Sequence, residues 1–193
     1  MIIYFVRHGQ TDWNVERRFQ GQLDIPINAK GRGQARRNGL ILADLVKDPE
    51  NWNFVASPLS RTRETMEIVR STMNLSPETY KTDDRLKEIH FGDWQGKTWA
   101  ERNIEDPERT AAHDKQRWEY KTPGKDGESY VMLYERVISW LETVKTNTIC
   151  VSHGGISRCL QKHFNNINNA EAPHLKVPQD KILAISNGTT SWI

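Results

Sequence analysis

Residues 2–11 read IIYFVRHGQT, and this stretch points to the centre of the molecule. Its five leading apolar residues do not alternate with polar ones, which is typical of a strand buried on both faces. Arg7, His8 and Gly9 follow at once. The stretch therefore predicts a central strand with a cation, an imidazole and a flexible residue at its carboxyl end. In open α/β sheets, ligands bind at that edge.

The length and charge of the chain favour a single domain, residues 1–193. A net charge of +2, from 27 cationic and 25 acidic side chains, gives no reason to expect a nucleic acid or a membrane surface as partner. The two cysteines, Cys150 and Cys159, are too few for a disulfide framework. No apolar run approaches the ~20 residues of a membrane helix, and the N-terminal run lacks the features of a signal peptide. We expect a cytoplasmic protein.

Strand and helix signals alternate along the rest of the chain. Strands are predicted at residues 53–56, 79–81, 148–152 and 182–186, and helices are predicted to begin at or near residues 29, 57, 129 and 154. Asn28 and Ser57 are the expected N-caps of two of these helices. The alternation predicts an α/β fold in which helices flank both faces of a largely parallel central sheet. The charged residues from about 93 to 128 are interpreted as a small loop or helical insertion over the active site.

Basic and imidazole side chains follow three of the predicted strands. Arg7 and His8 follow the first, Arg61 lies in the first turn of the helix after the second, and His153 follows the strand that ends at residue 152. If the strands are parallel, these side chains meet at one edge of the sheet. A guanidinium group binds phosphate in a bidentate manner, through two parallel hydrogen bonds, and keeps its charge. A neutral imidazole can act as a nucleophile. The four side chains together predict a site for a phosphoryl group.

Chemistry at a phosphoryl group also needs backbone donors and a proton source. Gly9 and Gly154 are expected to let backbone N–H groups approach the phosphoryl oxygens. Glu88, in an aromatic-rich loop, is the candidate carboxyl group that protonates the leaving oxygen. The remaining histidines have no comparable setting and are assigned to packing or surface roles: His90, His113, His163 and His174.

A set of short sequence blocks is spread in order over nearly the whole chain. The blocks are RHGQT at 7–11 with WN at 13–14, FQG at 19–21, LD at 23–24, GRGQA at 31–35, SPLSR at 57–61, EIHFG at 88–92, GES at 127–129 and SHGG at 152–155. In this order they resemble the pattern of the histidine phosphatase superfamily, the phosphoglycerate-mutase-like proteins. One short block is weak, whereas the ordered set is specific. The resemblance implies the phosphoglycerate-mutase-like α/β fold.

The resemblance also implies a role for each matching position. His8 is implied to be the residue that becomes phosphorylated. Glu88 is implied to be the proton donor and, in hydrolysis, the base that activates water. The residues implied to hold the phosphoryl group or substrate are Arg7, Arg61, His153, Asn14, Gly9, Gln20, Gly21 and Gly154. The resemblance implies neither a metal nor a cofactor.

Three functions are compatible with these residues. The first is hydrolysis of a small phosphomonoester through a phosphohistidine, and the second is a phosphoglycerate-type mutase that forms the same intermediate but excludes water. The third is a module that binds a phosphorylated ligand without turnover, which the complete catalytic set disfavours. The expected partner is a small phosphorylated substrate rather than a nucleic acid or a membrane. The sequence leaves the oligomeric state open, with a homodimer as one alternative.

The chain departs from the family pattern at a few points, and the missing mutase motifs favour the phosphatase. The mutases' characteristic tyrosine and arginine-pair motifs cannot be placed in this chain, the insertion is short, and Asn28 stands where a threonine is usual. A metal-dependent hydrolase built on His8, His153 and Glu88 is disfavoured, because the neighbouring arginines would repel the cation.

Overall fold

A six-stranded sheet forms the centre of the computed structural model, which describes residues 1–193. The strands are β1 (Ile3–Arg7), β2 (Asn53–Ala56), β3 (Lys81–Thr82), β4 (Thr148–Ser152), β5 (Ile182–Ser186) and β6 (Thr189–Trp192). Their spatial order is β3-β2-β4-β1-β5-β6. The first four in that order are parallel, whereas β5 pairs antiparallel with β1, and β6 pairs antiparallel with β5. The prediction of an α/β fold with a largely parallel sheet is confirmed.

Seven helices accompany the sheet, and none of them is long and apolar enough to cross a membrane. They are α1 (Asp12–Val15), α2 (Ala29–Leu45), α3 (Ser60–Thr72), α4 (Trp99–Glu105), α5 (Pro107–Lys115), α6 (Tyr130–Leu141) and α7 (Gly154–Asn165). The predicted starts near residues 29, 129 and 154 are confirmed. Asn28 caps α2 as predicted, because its side chain accepts a hydrogen bond from the N–H of Gly31 at 3.0 Å.

Alternation along the strands divides the core into two apolar layers. On β1, Phe5 belongs to the layer beneath α6 and α7, and Val6 belongs to the layer beneath α2 and α3. On β4, Cys150 belongs to the layer beneath α6 and α7, and Val151 belongs to the layer beneath α2 and α3. Both faces of β1 and β4 are therefore covered by helices, which explains why their sequences are unbroken apolar runs. Side chains that follow the carboxyl ends of these two strands start from a rigid base.

The helix after β2 begins later than predicted. Ser57 is fully buried, α3 begins at Ser60, and the N-cap residue Leu59 makes no capping hydrogen bond through its side chain. Asp24 supplies the cap instead, since its Oδ1 accepts a hydrogen bond from the N–H of Ser60 at 2.7 Å. The prediction of Ser57 as the N-cap is therefore wrong, because its hydroxyl group is hydrogen-bonded to the side chain of His153.

The two edges of the sheet also differ from the prediction. β3 covers residues 81–82 rather than 79–81, and β6 is a strand that the sequence pattern does not predict. The turn between β5 and β6 consists of Asn187 and Gly188, whose φ angles are 50° and 76°. Asn-Gly is the preferred dipeptide for a tight hairpin turn of this kind. The turn chemistry, rather than an apolar pattern, marks this hairpin.

The predicted insertion contains α4 and α5, and a buried arginine anchors it. The guanidinium carbon of Arg102 lies 4.6 Å from the ring centre of Trp94 and 4.4 Å from that of Trp99. The ring centre of Phe19 lies 5.4 Å from the same guanidinium carbon. Such cation–π contacts gain strength when the cation is desolvated. Because Phe19 directly precedes the loop at residues 20–24, this cluster fixes the insertion against that loop.

The first turn of α2 lies directly against the backbone that follows His8. A Cβ on Gly9 would overlap the backbone of Gly31, and a Cβ on Gly31 would overlap the backbone of Gln10. Both positions therefore require glycine for close approach.

We expect Gly31→Ala to force α2 away from this backbone and to cost about 1–3 kcal/mol of stability, the usual range for overpacking. Gly33→Ala on the same helix is the matched control, because a Cβ there meets nothing within 4 Å. That control should gain about 0.5–1 kcal/mol from the better helix propensity of alanine. Urea unfolding measures both changes. Equal stability of the two variants would contradict this account of the packing.

Candidate active site

The carboxyl ends of three parallel strands bring the predicted side chains to one edge of the sheet. Arg7 ends β1 and His8 follows it, His153 follows β4, and Arg61 lies in the first turn of α3, after β2. The ring centroids of His8 and His153 are 5.2 Å apart, with an angle of 61° between the ring planes. Both rings are buried, with exposed fractions of 3% and 0%. The structure thus brings together the four side chains that the sequence places after separate strands.

The ring of His8 is held in one orientation and one protonation state. Its Nδ1–H donates to the carbonyl oxygen of Gly9 at 2.8 Å. This tautomer leaves the lone pair of Nε2 free to act as a nucleophile. Burial, and after it the charges of Arg61 and Arg7, hold the pKa of His8 well below its ordinary value of 6.5. The ring is therefore neutral at neutral pH.

Backbone carbonyl groups anchor both arginines and leave the Nε–H of each buried without a partner. Arg7 donates through Nη1 to the carbonyl of Val177 at 2.7 Å. Arg61 donates through Nη1 to Leu23 and through Nη2 to Gly21, both at 2.7 Å. The Nε atoms of the two arginines are buried without a partner in the protein, which is costly unless an anionic ligand accepts from them. Burial is the main cause that lowers the pKa of each to about 10, so both stay charged at neutral pH.

A buried serine orients His153. The Nε2 of His153 lies 2.8 Å from the Oγ of Ser57, and its Nδ1 is buried without a partner in the protein. Burial, and after it the charges of Arg61 and His8, hold the pKa of His153 well below 6.5. With the Ser57 hydroxyl donating to Nε2, the neutral ring carries its proton on Nδ1. His153 can then donate a hydrogen bond to an anion from that atom.

Glu88 brings a carboxylate to the same edge. Its oxygens accept hydrogen bonds from the N–H of Ile89 at 3.0 Å and from the N–H of Gly155 at 3.1 and 3.2 Å. The carbonyl group of Glu88 is held by Arg136 at 2.9 Å and by Gln22 at 3.0 Å. Backbone and side chain of Glu88 are therefore both fixed, and the carboxylate lies against the first turn of α7.

Gln179, which the sequence analysis missed, aligns Asn14. The Nε2 of Gln179 donates to the Oδ1 of Asn14 and to the carbonyl oxygen of His8, each at 3.0 Å. The backbone N–H of Thr11 also donates to Asn14 Oδ1, at 3.1 Å. Because the amide oxygen already has two donors, the NH2 group of Asn14 is left to donate to a ligand. No motif or strand end pointed to Gln179, since it lies in the loop between α7 and β5.

Two further predicted binding residues lie in the loop before α2. Gln20 is buried, and its Oε1 has no partner in the protein. Gly21 has a φ of 53°, a conformation that favours glycine, and its carbonyl oxygen accepts from Arg61. Gln20 therefore offers a polar atom, whereas Gly21 helps to hold the arginine.

The two glycines after the histidines play different parts. Gly154 begins α7 beside Arg7, whose Nε would lie 3.7 Å from a Cβ on Gly154. The N–H of Gly9 donates to the Oγ1 of Thr65 at 3.0 Å. The expectation that the Gly9 N–H faces a phosphoryl group is therefore corrected, because that N–H already has a partner. Gly9 serves the close packing against α2.

The other histidines do not join this cluster. His113 is buried in the aromatic surroundings of Arg102, and burial is the main cause that lowers its pKa to about 4. His163 and His174 are exposed, and the Nδ1 of His90 accepts from the N–H of Gly92. The structure contains no group of three or more histidine, cysteine or acidic side chains arranged to hold a metal ion.

The comparison with known families agrees with this fold. The model of the histidine phosphatase superfamily (branch 1) matches residues 3–192. This protein belongs to the histidine phosphatase superfamily. Its relatives include both phosphatases and phosphoglycerate-mutase-like proteins.

Relatives and solved structures carry both kinds of name. Phosphoglycerate mutase-like protein 4 of Arabidopsis thaliana is 35% identical over 163 residues, which cover 82% of this chain and 68% of that protein. The metal-independent phosphoserine phosphatase of A. thaliana is 32% identical over 173 residues, 87% of this chain and 70% of that protein. The structure of a mycobacterial glucosyl-3-phosphoglycerate phosphatase superimposes with a TM-score of 0.77 at 26% identity, covering 100% of this chain and 95% of that one. The similarities support an enzyme of this superfamily and leave the choice between phosphatase and mutase open.

Proposed function

We propose that this protein hydrolyses a small phosphomonoester through a phosphohistidine formed on Nε2 of His8. The observation that carries the proposal is the state of His8, a buried, neutral ring whose Nδ1–H is committed to Gly9. The same edge of the sheet carries the guanidinium groups of Arg7 and Arg61 and the imidazole of His153, which packs against His8. The Nε of each arginine and the Nδ1 of His153 are buried without a partner in the protein. The proposed reaction uses neither a metal nor a cofactor.

In the first step, the Nε2 lone pair of His8 forms a bond to phosphorus as the bond from phosphorus to the ester oxygen breaks. The Nε–H groups of Arg7 and Arg61 and the Nδ1–H of His153 donate to the phosphoryl oxygens. Glu88, in its acid form, gives its proton to the leaving oxygen, so that the product leaves as an alcohol.

In the second step, water attacks phosphorus and the bond from phosphorus to Nε2 of His8 breaks. Glu88, now a carboxylate, takes the proton from the attacking water. The sum of both steps converts ester and water into alcohol and inorganic phosphate, and His8 and Glu88 return to their starting states. A two-step route of this kind should accumulate an acid-labile phosphoenzyme whenever the second step is slower.

Hydrolysis is preferred to a mutase reaction because the mutases' tyrosine and arginine-pair motifs cannot be placed in the sequence. The discriminating experiment is a panel of phosphorylated metabolites, including 2- and 3-phosphoglycerate, with parallel assays of phosphate release and isomer composition. Release of phosphate supports the proposal. Interconversion of the phosphoglycerates without release of phosphate would favour the mutase.

Activity should be insensitive to chelators and sensitive to phosphate-like oxyanions. We expect p-nitrophenyl phosphate hydrolysis to stay within about twofold after dialysis against EDTA, since no cluster of metal ligands is present. Vanadate should inhibit competitively, because Arg7, Arg61 and His153 would bind it as they bind a phosphoryl group. Loss of activity in EDTA with recovery on addition of zinc or magnesium would instead support a metallohydrolase.

A further inference from the structure

Glu88 does not directly follow a strand, unlike the two histidines of the site. Residues 87–91 lie outside the helices and strands, so their backbone groups need partners from other parts of the fold. Arg136 on α6 donates to three carbonyl oxygens in and next to this stretch, those of Arg85, Lys87 and Glu88, at 2.7, 2.5 and 2.9 Å. A single side chain therefore fixes the backbone from which the carboxyl group of Glu88 extends.

Arg136 uses all of its hydrogen-bond donors within the protein. A guanidinium group has five N–H donors. Three of those of Arg136 go to the carbonyl oxygens, and the other two, on Nε and Nη2, donate to Oε1 and Oε2 of Glu128 at 3.0 and 2.9 Å. Arg7 and Arg61, by contrast, each have a buried Nε without a partner. Arg136 thus has no donor left for a phosphoryl oxygen, and it can influence the reaction only through the residues that it holds.

Glu128, from the GES block at 127–129, connects Arg136 to the other side of Glu88. Its Oε2 also accepts a hydrogen bond from the N–H of His90 at 2.8 Å, and its own N–H donates to the carbonyl oxygen of His90 at 2.8 Å. The ion pair is largely buried, since the side chains of Arg136 and Glu128 are 19% and 15% exposed. Removing either partner would leave a partly desolvated charge without its counterion. The pair therefore holds the chain on both sides of Glu88.

We propose that Arg136, held by Glu128, is the positioning residue of the general acid Glu88. The inference rests on the proposed function and assigns the residues that set the geometry of its proton-transfer step. A general acid must lie within hydrogen-bond reach of the oxygen that it protonates, and a misplacement of about 1 Å can cost about 10²-fold in rate. Without Arg136, three carbonyl oxygens around Glu88 would lose their partner in a segment that has no helix or strand to hold it.

The test compares a leaving group that needs protonation with one that needs little. The first is the best alkyl substrate of the wild-type protein among 3-phosphoglycerate, glycerol 3-phosphate and propyl phosphate, and the second is p-nitrophenyl phosphate. Single-turnover quenched flow gives the rate constant for phosphoryl transfer to His8 from each. Arg136→Met should lower this rate constant by about 10- to 100-fold with the alkyl phosphate, and by no more than about threefold with p-nitrophenyl phosphate. Arg136→Lys keeps the charge beside Glu128 but lacks the planar fork of donors, so it should recover only part of the loss.

A double-mutant cycle and a matched arginine separate positioning from general support of the structure. In a Glu88→Gln background, Arg136→Met should cause no further loss beyond about threefold with the alkyl phosphate, because no acid is left to position. Arg85→Met is the matched control. The side chain of Arg85 also ties this segment to α6, through the carbonyl oxygen of Ser139 at 2.9 Å, but it donates to no atom of Glu88. This control should leave the ratio of the two rate constants within about twofold of the wild-type ratio, and urea unfolding reports the stability of every variant.

An equal loss with both kinds of substrate, or a full further loss in the Glu88→Gln background, would overturn the proposal. Glu128→Gln decides the question if Arg136→Met does not fold, because it only replaces one acceptor oxygen by an NH2 group that faces the guanidinium of Arg136. Its loss should be about 3- to 10-fold and confined to the alkyl phosphate, and an equal loss with p-nitrophenyl phosphate would again contradict the positioning role. Failure of the proposed function is a separate result, since the wild-type protein would then form no phosphoenzyme from any of these substrates.

Discussion

His8→Ala should lower kcat for phosphate release by about 10⁴-fold or more, because the covalent route has no second nucleophile. His153 cannot take over, since its Nε2 is bonded to Ser57 and its position is set by β4. The pKa of His8 lies well below 6.5, so lowering the pH to 6.5 should leave the wild-type nucleophile unprotonated. Steady-state assays with p-nitrophenyl phosphate and acid-quench trapping of the phosphoenzyme measure the loss.

The control for this variant is His163→Ala. His163 is exposed on α7, where its Nδ1 lies 3.0 Å from the hydroxyl group of Tyr134, and its replacement should leave kcat within about twofold. Because His8 is buried, circular dichroism and urea unfolding should accompany the assay. Near-normal activity in a folded His8→Ala variant would reject the phosphohistidine mechanism.

The sequence predicts the position of His8 and His153 for a local reason. Each follows a short apolar run, and such a run is buried on both faces only in the middle of a sheet. Because both runs form parallel strands, their carboxyl ends lie at the same edge of the sheet. This position can be predicted without knowledge of contacts between distant segments. The position of Arg61 is predictable for the same reason, because Arg61 lies in the first turn of the helix that follows β2.

Other parts of the site depend on contacts between distant segments, which no local pattern encodes. Gln179 hydrogen-bonds to Asn14, which lies 165 positions away in the chain. Serine is a preferred helix N-cap, yet the hydroxyl group of Ser57 is hydrogen-bonded to His153. Asp24 caps α3 instead. Where two polar groups compete for one partner, the sequence gives no means of choosing between them.

The hairpin between β5 and β6 is a different case, because its signal is present in the sequence. Asn187 and Gly188 form the preferred tight turn, but the strand that follows is polar and half-exposed. An apolar pattern therefore marks the strands that position the site and overlooks an edge strand such as β6. The catalytic edge is predictable to the extent that it is built from buried strands.

Glu88→Gln should depress kcat by about 10²- to 10⁴-fold with an alkyl phosphate, the usual scale for acid–base assistance. Glutamine keeps the size of the side chain and can still accept a hydrogen bond from Gly155, but it has no acidic proton to transfer to the leaving oxygen. KM should not rise, because the variant removes a carboxylate from the neighbourhood of a dianion. Glu135→Gln, at an exposed position on α6, is the matched control and should leave kcat within about twofold.

The loss in Glu88→Gln should shrink with p-nitrophenyl phosphate, whose leaving group needs little protonation. This comparison holds while transfer to His8 limits the rate, and quenched-flow detection of the phosphoenzyme identifies the limiting step. An equal loss in the transfer step for both substrates would reject Glu88 as the acid. Asp83 would be a poor replacement, because Arg85 donates to both of its oxygens and holds the pKa of Asp83 below its ordinary value. Asp83 would therefore remain ionised and could not supply the proton, so attention would turn to Asp84 or Asp93.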